Sequence, residues 1–126
     1  MKPTNVIVTD VDDTILFTEN RDYANSRPNL PVVEGLRKLE RNGWKIVLMS
    51  ARGMGRSNGN IEEVRADVIA EIERFVDKYD VPCHEIVLAK PFANYYVDDK
   101  ALRPDEFVEK VDEMIEQFKE PPTVWG

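Results

Sequence analysis

The sequence predicts an α/β fold in which helices cover both faces of a mostly parallel sheet, and two observations lead to this prediction. Short apolar runs rich in strand-forming residues alternate with longer segments whose apolar residues recur every three or four positions. A polar side chain follows each apolar run, and the four are Asp10, Ser50, Lys90 and Asp98. Because ligands of open parallel sheets bind beyond the carboxyl ends of the strands, this pattern predicts one functional site at one sheet edge.

The first predicted strand covers residues 5–9, which are apolar enough for a central parallel strand buried on both faces. The polar stretch 18–29 shows no periodicity and is predicted to be a loop or flap. The first helix is predicted to carry Pro31 in its first turn and Gly43 just past its end. Proline fits the start of a helix, and glycine fits the turn that follows one.

The second half of the chain continues the alternation of strands and helices. Residues 44–49 form the second predicted strand, and a glycine-containing loop then leads into a long helix whose apolar stripe runs from Ile61 to Tyr79. Residues 85–89 and 95–97 are the third and fourth predicted strands, and a last helix is predicted to begin near Pro104.

Length and composition fit one globular domain over residues 1–126, in which about 119–126 are expected to be a loose C-terminal tail. Seventeen basic against 24 acidic residues give a net charge of −7, so the surface repels anionic membranes and bulk nucleic acid. No stretch approaches the roughly 20 apolar residues of a membrane span. The single cysteine, Cys83, allows no internal disulfide and fits a reducing compartment, so a cytoplasmic protein is expected.

Three aspartates and a threonine follow the first predicted strand: Asp10, Asp12, Asp13 and Thr14. Like charges this close cannot all stay ionised and unpaired, so a cation is expected to share the site. A hard divalent ion held by oxygen ligands is the first candidate, and it points toward phosphate chemistry.

The chain resembles the haloacid dehalogenase superfamily of phosphotransferases, whose four motifs all have a counterpart in it. They are Asp10-Val11-Asp12-Asp13-Thr14 after the first strand, Ser50 after the second, Lys90, and then Asp98-Asp99. Residues 30–52 and 95–101 further resemble a small branch whose members lack a cap domain and are often labelled capsular-polysaccharide biosynthesis proteins. The resemblance implies a three-layer, Rossmann-like core without a cap.

The resemblance also implies a catalytic role for each motif. Asp10 would be the nucleophile that forms an aspartyl-phosphate, and Asp12 would protonate the leaving oxygen and then activate the hydrolytic water. Thr14 would orient the loop, while Ser50 and Lys90 would bind and neutralise the transferring phosphoryl group. A Mg²⁺ ion would be bound by Asp10, by the backbone carbonyl of Asp12 and by Asp98, and Asp99 would bind the ion or hold a metal-bound water.

Two arginines outside these motifs could bind a substrate phosphate. Arg52 directly follows the second strand and Arg56 lies in the glycine-containing loop. Ordinary surface arginine is the alternative interpretation for both.

The sequence departs from the superfamily pattern in two places. Only seven residues separate Lys90 from Asp98, whereas a parallel crossover needs about a dozen or more, so the last strand is expected to be offset or antiparallel. Position 13 is aspartate where many relatives carry glycine. The lack of room for a cap suggests either an open site for a large substrate or closure by a second copy of the chain.

The leading functional hypothesis is a Mg²⁺-dependent phosphomonoester hydrolase. Its substrate would be a sugar phosphate, a nucleotide or a phosphorylated nucleic-acid end, the last less favoured because the surface is acidic. One alternative is a receiver-like phosphoacceptor domain, but that class needs an aspartate closing the third strand, where this chain has Lys90. A catalytically silent binding protein of the same fold is the other alternative.

Overall fold

A computed structural model describes residues 4–20, 22–52, 61–88, 90 and 93–119. In chain order the helices and strands are β1 (Val6–Asp10), β2 (Leu16–Phe17), β3 (Arg27–Pro28), α1 (Leu30–Arg41), β4 (Lys45–Met49), α2 (Ile61–Tyr79), β5 (Glu85–Val87) and α3 (Pro104–Gln117). A single 3₁₀ turn, Tyr23–Asn25, precedes β3. Most of the predicted C-terminal tail lies outside the described residues.

Three parallel strands form the main sheet in the order β1-β4-β5. Val6 of β1 lies opposite Lys45 and Asp10 lies opposite Met49, so both strands end at the same sheet edge. The central strand, β4, is the most buried, as a strand with a neighbour on each side should be. Helices flank this sheet, and the predicted Rossmann-like α/β core is confirmed.

Two predictions about strands are wrong. Residues 95–97 are not a strand in the structure, and the side chains of Tyr95 and Val97 are almost fully exposed. The short connection from Lys90 leaves no room for a crossover helix, which is the physical reason that a fourth parallel strand does not form here. In the described part of the chain β1 is therefore an edge strand, and Val6 and Val8 are 42% and 51% exposed rather than buried on both faces.

A small hairpin occupies part of the segment predicted to be a loop or flap. Leu16 pairs with Pro28 and Phe17 with Arg27 in an antiparallel ladder. The side chain of Asn29 donates a hydrogen bond to the Thr14 carbonyl (Nδ2···O 3.0 Å). The hairpin thus fixes the chain that follows β1, where the acidic motif lies.

Helices α1 and α3 pack closely at Gly35. A Cβ atom at this position would lie 2.8 Å from Cε2 of Phe107 and 3.0 Å from Cγ2 of Val111, so only glycine permits the contact without a shift. Helix α1 contains Pro31 in its first turn and is followed by Gly43 at φ +85°, as predicted. Within the described part of the chain, no helix combines the length and apolarity needed to cross a membrane.

Candidate active site at the carboxyl ends of β1 and β4

Two apolar side chains of the loop after β1 are buried in the core and anchor the loop. Val11 and Ile15 are fully buried in the core, and the Val11 carbonyl accepts a hydrogen bond from the Ile15 backbone (3.1 Å). Asp13 adopts a left-handed conformation with φ 60°, which aspartate tolerates better than most residues. The same conformation explains physically why glycine would also suit this position.

Asp10 ends β1 and forms an ion pair with Lys90. The distance between Lys90 Nζ and Asp10 Oδ2 is 3.0 Å, and both side chains are mostly buried. Asp10 Oδ1 accepts a hydrogen bond from the Val11 backbone (2.9 Å). On its other side, Lys90 Nζ lies 4.2 Å from the centre of the Tyr96 ring, a cation–π contact. The structure therefore places Lys90 beside the predicted nucleophile despite the short segment that follows it.

Asp12 is bound through both carboxylate oxygens by Arg52. Arg52 Nε donates to Oδ1 and Oδ2 at 3.1 and 3.0 Å, and Nη2 donates to Oδ1 at 2.8 Å. The Arg52 side chain is only 3% exposed, whereas that of Asp12 is 36% exposed. A planar guanidinium holding a carboxylate by several N–H groups fixes both the position and the orientation of that carboxylate.

Ser50 and Glu71 complete the surroundings of Arg52. Ser50 is fully buried, and its Oγ accepts a hydrogen bond from the Arg52 backbone (3.0 Å). Glu71, on α2, contacts Arg52 through its Oε2 at 3.4 Å from Nη1. The buried arginine is thus held by two carboxylates and one hydroxyl, and its contacts link β1, β4 and α2.

The carboxylates of Asp10 and Asp12 are each paired with a different cationic side chain. Lys90 balances Asp10, and Arg52 balances Asp12 together with Glu71. Side chains of this chain thus supply positive charge beside Asp10 and Asp12, and the divalent ion expected to share the site stays a prediction.

The aspartates predicted to bind magnesium have the right donor chemistry, since Mg²⁺ takes oxygen ligands and carboxylates are its usual protein ligands. Among the residues that the structure describes, however, no three His, Cys, Asp or Glu side chains converge closely enough to hold a metal ion. Asp98 and Asp99 are exposed, and Asp98 Oδ1 accepts a hydrogen bond from the Lys100 backbone (2.8 Å). The ligand set with Asp10 and Asp12 stays a prediction.

Three other residues were predicted to belong to the site, namely Arg52, Arg56 and Thr14. Arg52 lies against Asp12 rather than on the open surface, and its role in binding substrate stays a prediction. Arg56 lies outside the described residues. Thr14 contributes its carbonyl to the loop through a hydrogen bond from Asn29.

Sequence reasoning missed Glu71. It precedes Ile72, which is fully buried in the apolar stripe of α2. The one signal in the sequence was an acidic side chain at the border of the buried face of α2. A partly buried carboxylate needs a cationic or hydrogen-bonding partner, so this position could have been predicted to contact one.

The single cysteine lies apart from this site and should react slowly. Burial raises the pKa of the Cys83 thiol above its ordinary value, and the negative charge of Glu73 acts in the same direction. A raised pKa lowers the thiolate fraction at any pH below it, so we expect alkylation of the native protein at pH 8 to be about tenfold slower than that of the urea-unfolded protein. Mass spectrometry of iodoacetamide labelling measures both rates, and equal rates would contradict the expectation.

Comparison with known proteins places the chain near two solved structures. No family model and no curated protein matches it. A crystal structure of a target protein from Vibrio cholerae is 32% identical, covers 90% of this chain and 98% of its own, and superimposes with a TM-score of 0.79. A chain of the Pnkp1/Rnl/Hen1 complex is 25% identical over 86% of this chain with a TM-score of 0.50, and this chain spans 35% of its length.

Proposed function

This chain belongs to the same family as the Vibrio cholerae protein of known structure, and we propose that it is a phosphomonoester hydrolase of the haloacid dehalogenase type. The observation that carries the proposal is the pairing of two neighbouring carboxylates with separate cations at one sheet edge. Asp10 lies 3.0 Å from Lys90, and Asp12 is held through both oxygens by Arg52. A nucleophile and an acid–base group need such separate environments to act differently in one reaction.

In the first step an Asp10 oxygen attacks phosphorus, and the bond from phosphorus to the leaving oxygen breaks. Asp12 would have to give up one of its contacts with Arg52 and take a proton from solvent when substrate binds, and it would then donate that proton to the leaving oxygen. In the second step Asp12 takes a proton from water, which attacks phosphorus and releases phosphate from Asp10. Lys90 neutralises charge on the phosphoryl oxygens in both steps.

Magnesium belongs to this proposal as the cofactor. It would be held by Asp10, the backbone carbonyl of Asp12 and Asp98, with Asp99 binding the ion or a metal-bound water, and it would supply positive charge to the transferring phosphoryl group. The contact between Tyr96 and Lys90 supports the proposed magnesium site. Lys90 pairs with Asp10, and Tyr96 lies two residues before Asp98, so this contact holds the segment that leads to Asp98 near Asp10.

The substrate class of the proposal is a phosphorylated small molecule or a phosphorylated polymer end. Sugar phosphates, nucleotides and phosphorylated nucleic-acid ends all present a terminal phosphoryl group of the required kind. The net charge of −7 disfavours tight, sequence-independent binding of nucleic acid, which depends on neutralising many backbone phosphates.

Turnover of p-nitrophenyl phosphate tests the proposal. We expect release of p-nitrophenol in the presence of Mg²⁺, loss of at least about 90% of the rate in excess EDTA, and recovery when Mg²⁺ is restored. The absence of turnover with this ester and with a panel of metabolite phosphates would instead favour the silent binding protein. A stable phosphorylated protein without turnover would favour the receiver-like alternative.

A further inference from the structure

Two carboxylates from different elements contact different nitrogens of the Arg52 guanidinium. Asp12, in the loop after β1, accepts hydrogen bonds from Nε and Nη2 at distances between 2.8 and 3.1 Å, and Glu71, on α2, lies 3.4 Å from Nη1. A guanidinium offers five N–H groups, so both carboxylates bind without competing. Nη1 and Nη2 together form a second fork, which Glu71 can occupy fully once Asp12 releases Nη2.

Asp12 has to loosen its contact with Arg52 before it can act on a substrate. Both of its oxygens are held by Arg52, and in the proposed mechanism one of them must reach the leaving oxygen. The Arg52 side chain is almost fully buried, and a buried cation is costly unless an anion stays beside it. The loosening of Asp12 is therefore easiest when a second carboxylate remains in contact with the guanidinium.

Glu71 is the more firmly placed of the two carboxylates. Its neighbours on α2, Ile72 and Phe75, are buried in the core, which fixes the rotation of the helix about its axis. Asp12 belongs to a loop, and its side chain is more exposed than that of Glu71. One guanidinium is thus shared between a carboxylate anchored on a helix and a carboxylate that borders solvent.

We propose that Glu71 is a positioning residue, which holds Arg52 in place while Asp12 gives up part of its contact and turns toward the substrate. The inference rests on the proposed phosphomonoesterase function and adds to it a residue that acts only through Arg52. Without Glu71 the guanidinium would hold Asp12 more tightly, and proton donation to the leaving oxygen would slow. Attack by Asp10 beside Lys90 does not involve Glu71 and should proceed as before.

Glu71→Gln tests the inference through the leaving group of the substrate. Phenolate leaves phosphorus poorly without a proton, whereas p-nitrophenolate leaves well without one, and the two esters have nearly the same shape. We expect kcat/KM, which reports the first step, to fall about tenfold for phenyl phosphate and less than about twofold for p-nitrophenyl phosphate. Glu71→Asp keeps the charge and should recover part of the loss.

Glu73→Gln is the matched control for this variant. Glu73 lies two residues further along α2 and is exposed, so its substitution changes the net charge equally and should leave both kcat/KM values unchanged. A purely structural role for Glu71 would lower kcat/KM equally for both esters, and that result would overturn the inference. An unchanged kcat/KM of Glu71→Gln for phenyl phosphate would overturn it as well.

Urea unfolding separates failure of this inference from failure of the proposed function. Asp12→Asn removes the negative charge that Asp12 presents to Arg52, so the guanidinium then depends more on Glu71. Glu71→Gln should therefore lower the urea midpoint about twice as far in Asp12→Asn protein as in wild-type protein, whether or not turnover is observed. Equal shifts in the two proteins would overturn the inference, whereas absence of turnover in the wild-type protein would contradict the proposed function.

Discussion

Asp10→Asn is expected to lower kcat for p-nitrophenyl phosphate by at least about a thousandfold, the largest effect that the proposed mechanism predicts. An amide has no carboxylate oxygen to attack phosphorus, so neither step of the reaction can proceed through this residue. The fold should survive, because asparagine keeps the shape of the side chain and still offers an oxygen to Lys90, and because the Asp10 side chain is 35% exposed to water. Steady-state kinetics and a thermal melt measure the two effects.

Asp13→Asn is the matched control for this variant. Asp13 lies in the same loop, carries the same charge and is exposed, and asparagine tolerates its left-handed conformation as well as aspartate does. We expect kcat within about threefold of the wild-type value. If Asp10→Asn retained wild-type turnover, or if Asp13→Asn lost as much, Asp10 would not be the nucleophile.

Arg52→Met is expected to reduce the free energy of unfolding by about 2 kcal/mol, the largest stability effect predicted for this site. Methionine fills part of the buried space but leaves Asp12 and Glu71 without the cation that they share. Because these two carboxylates are 36% and 22% exposed, water offsets part of the cost that a fully buried pair would incur. Urea unfolding monitored by circular dichroism measures the change.

Two further variants sharpen the interpretation of Arg52. Arg27→Met breaks an exposed ion pair with Glu19 and should cost less than about 0.5 kcal/mol. Arg52→Lys keeps the charge but cannot hold Asp12 through a planar fork, so its stability should fall between wild type and Arg52→Met. An Arg52→Met protein as stable as the wild type would show that the contacts with Asp12 and Glu71 contribute nothing to folding.

Much of the fold could be predicted because its signals are local. The start of α1 at a proline, its end before Gly43 and the apolar runs of β1, β4 and β5 each depend on a few neighbouring residues. Residues 95–97 have the same β-rich composition but lack a partner strand in the described structure, because strand pairing depends on the length of the preceding connection. The hairpin of β2 and β3 was missed since two-residue strands carry no periodicity.

The candidate site could be predicted only in part from the sequence. The approach of Lys90 to Asp10 agrees with the order of polar residues after successive strands, which a parallel sheet brings to one edge. The contact between Arg52 and Asp12 joins residues 40 positions apart, and no spacing rule specifies which cation pairs with which carboxylate. The position of Glu71 depends on the rotation of α2 about its axis, which the sequence defines only to within a helical face.

The most direct test of the account is the identity of the phosphorylated residue. Asp12→Asn protein, which should retain the nucleophile but hydrolyse the intermediate slowly, is mixed with p-nitrophenyl phosphate and Mg²⁺, quenched in acid and digested for mass spectrometry. We predict one phosphoryl group on Asp10. Phosphate on another side chain, or full turnover with no phosphorylated peptide, would contradict the proposed mechanism.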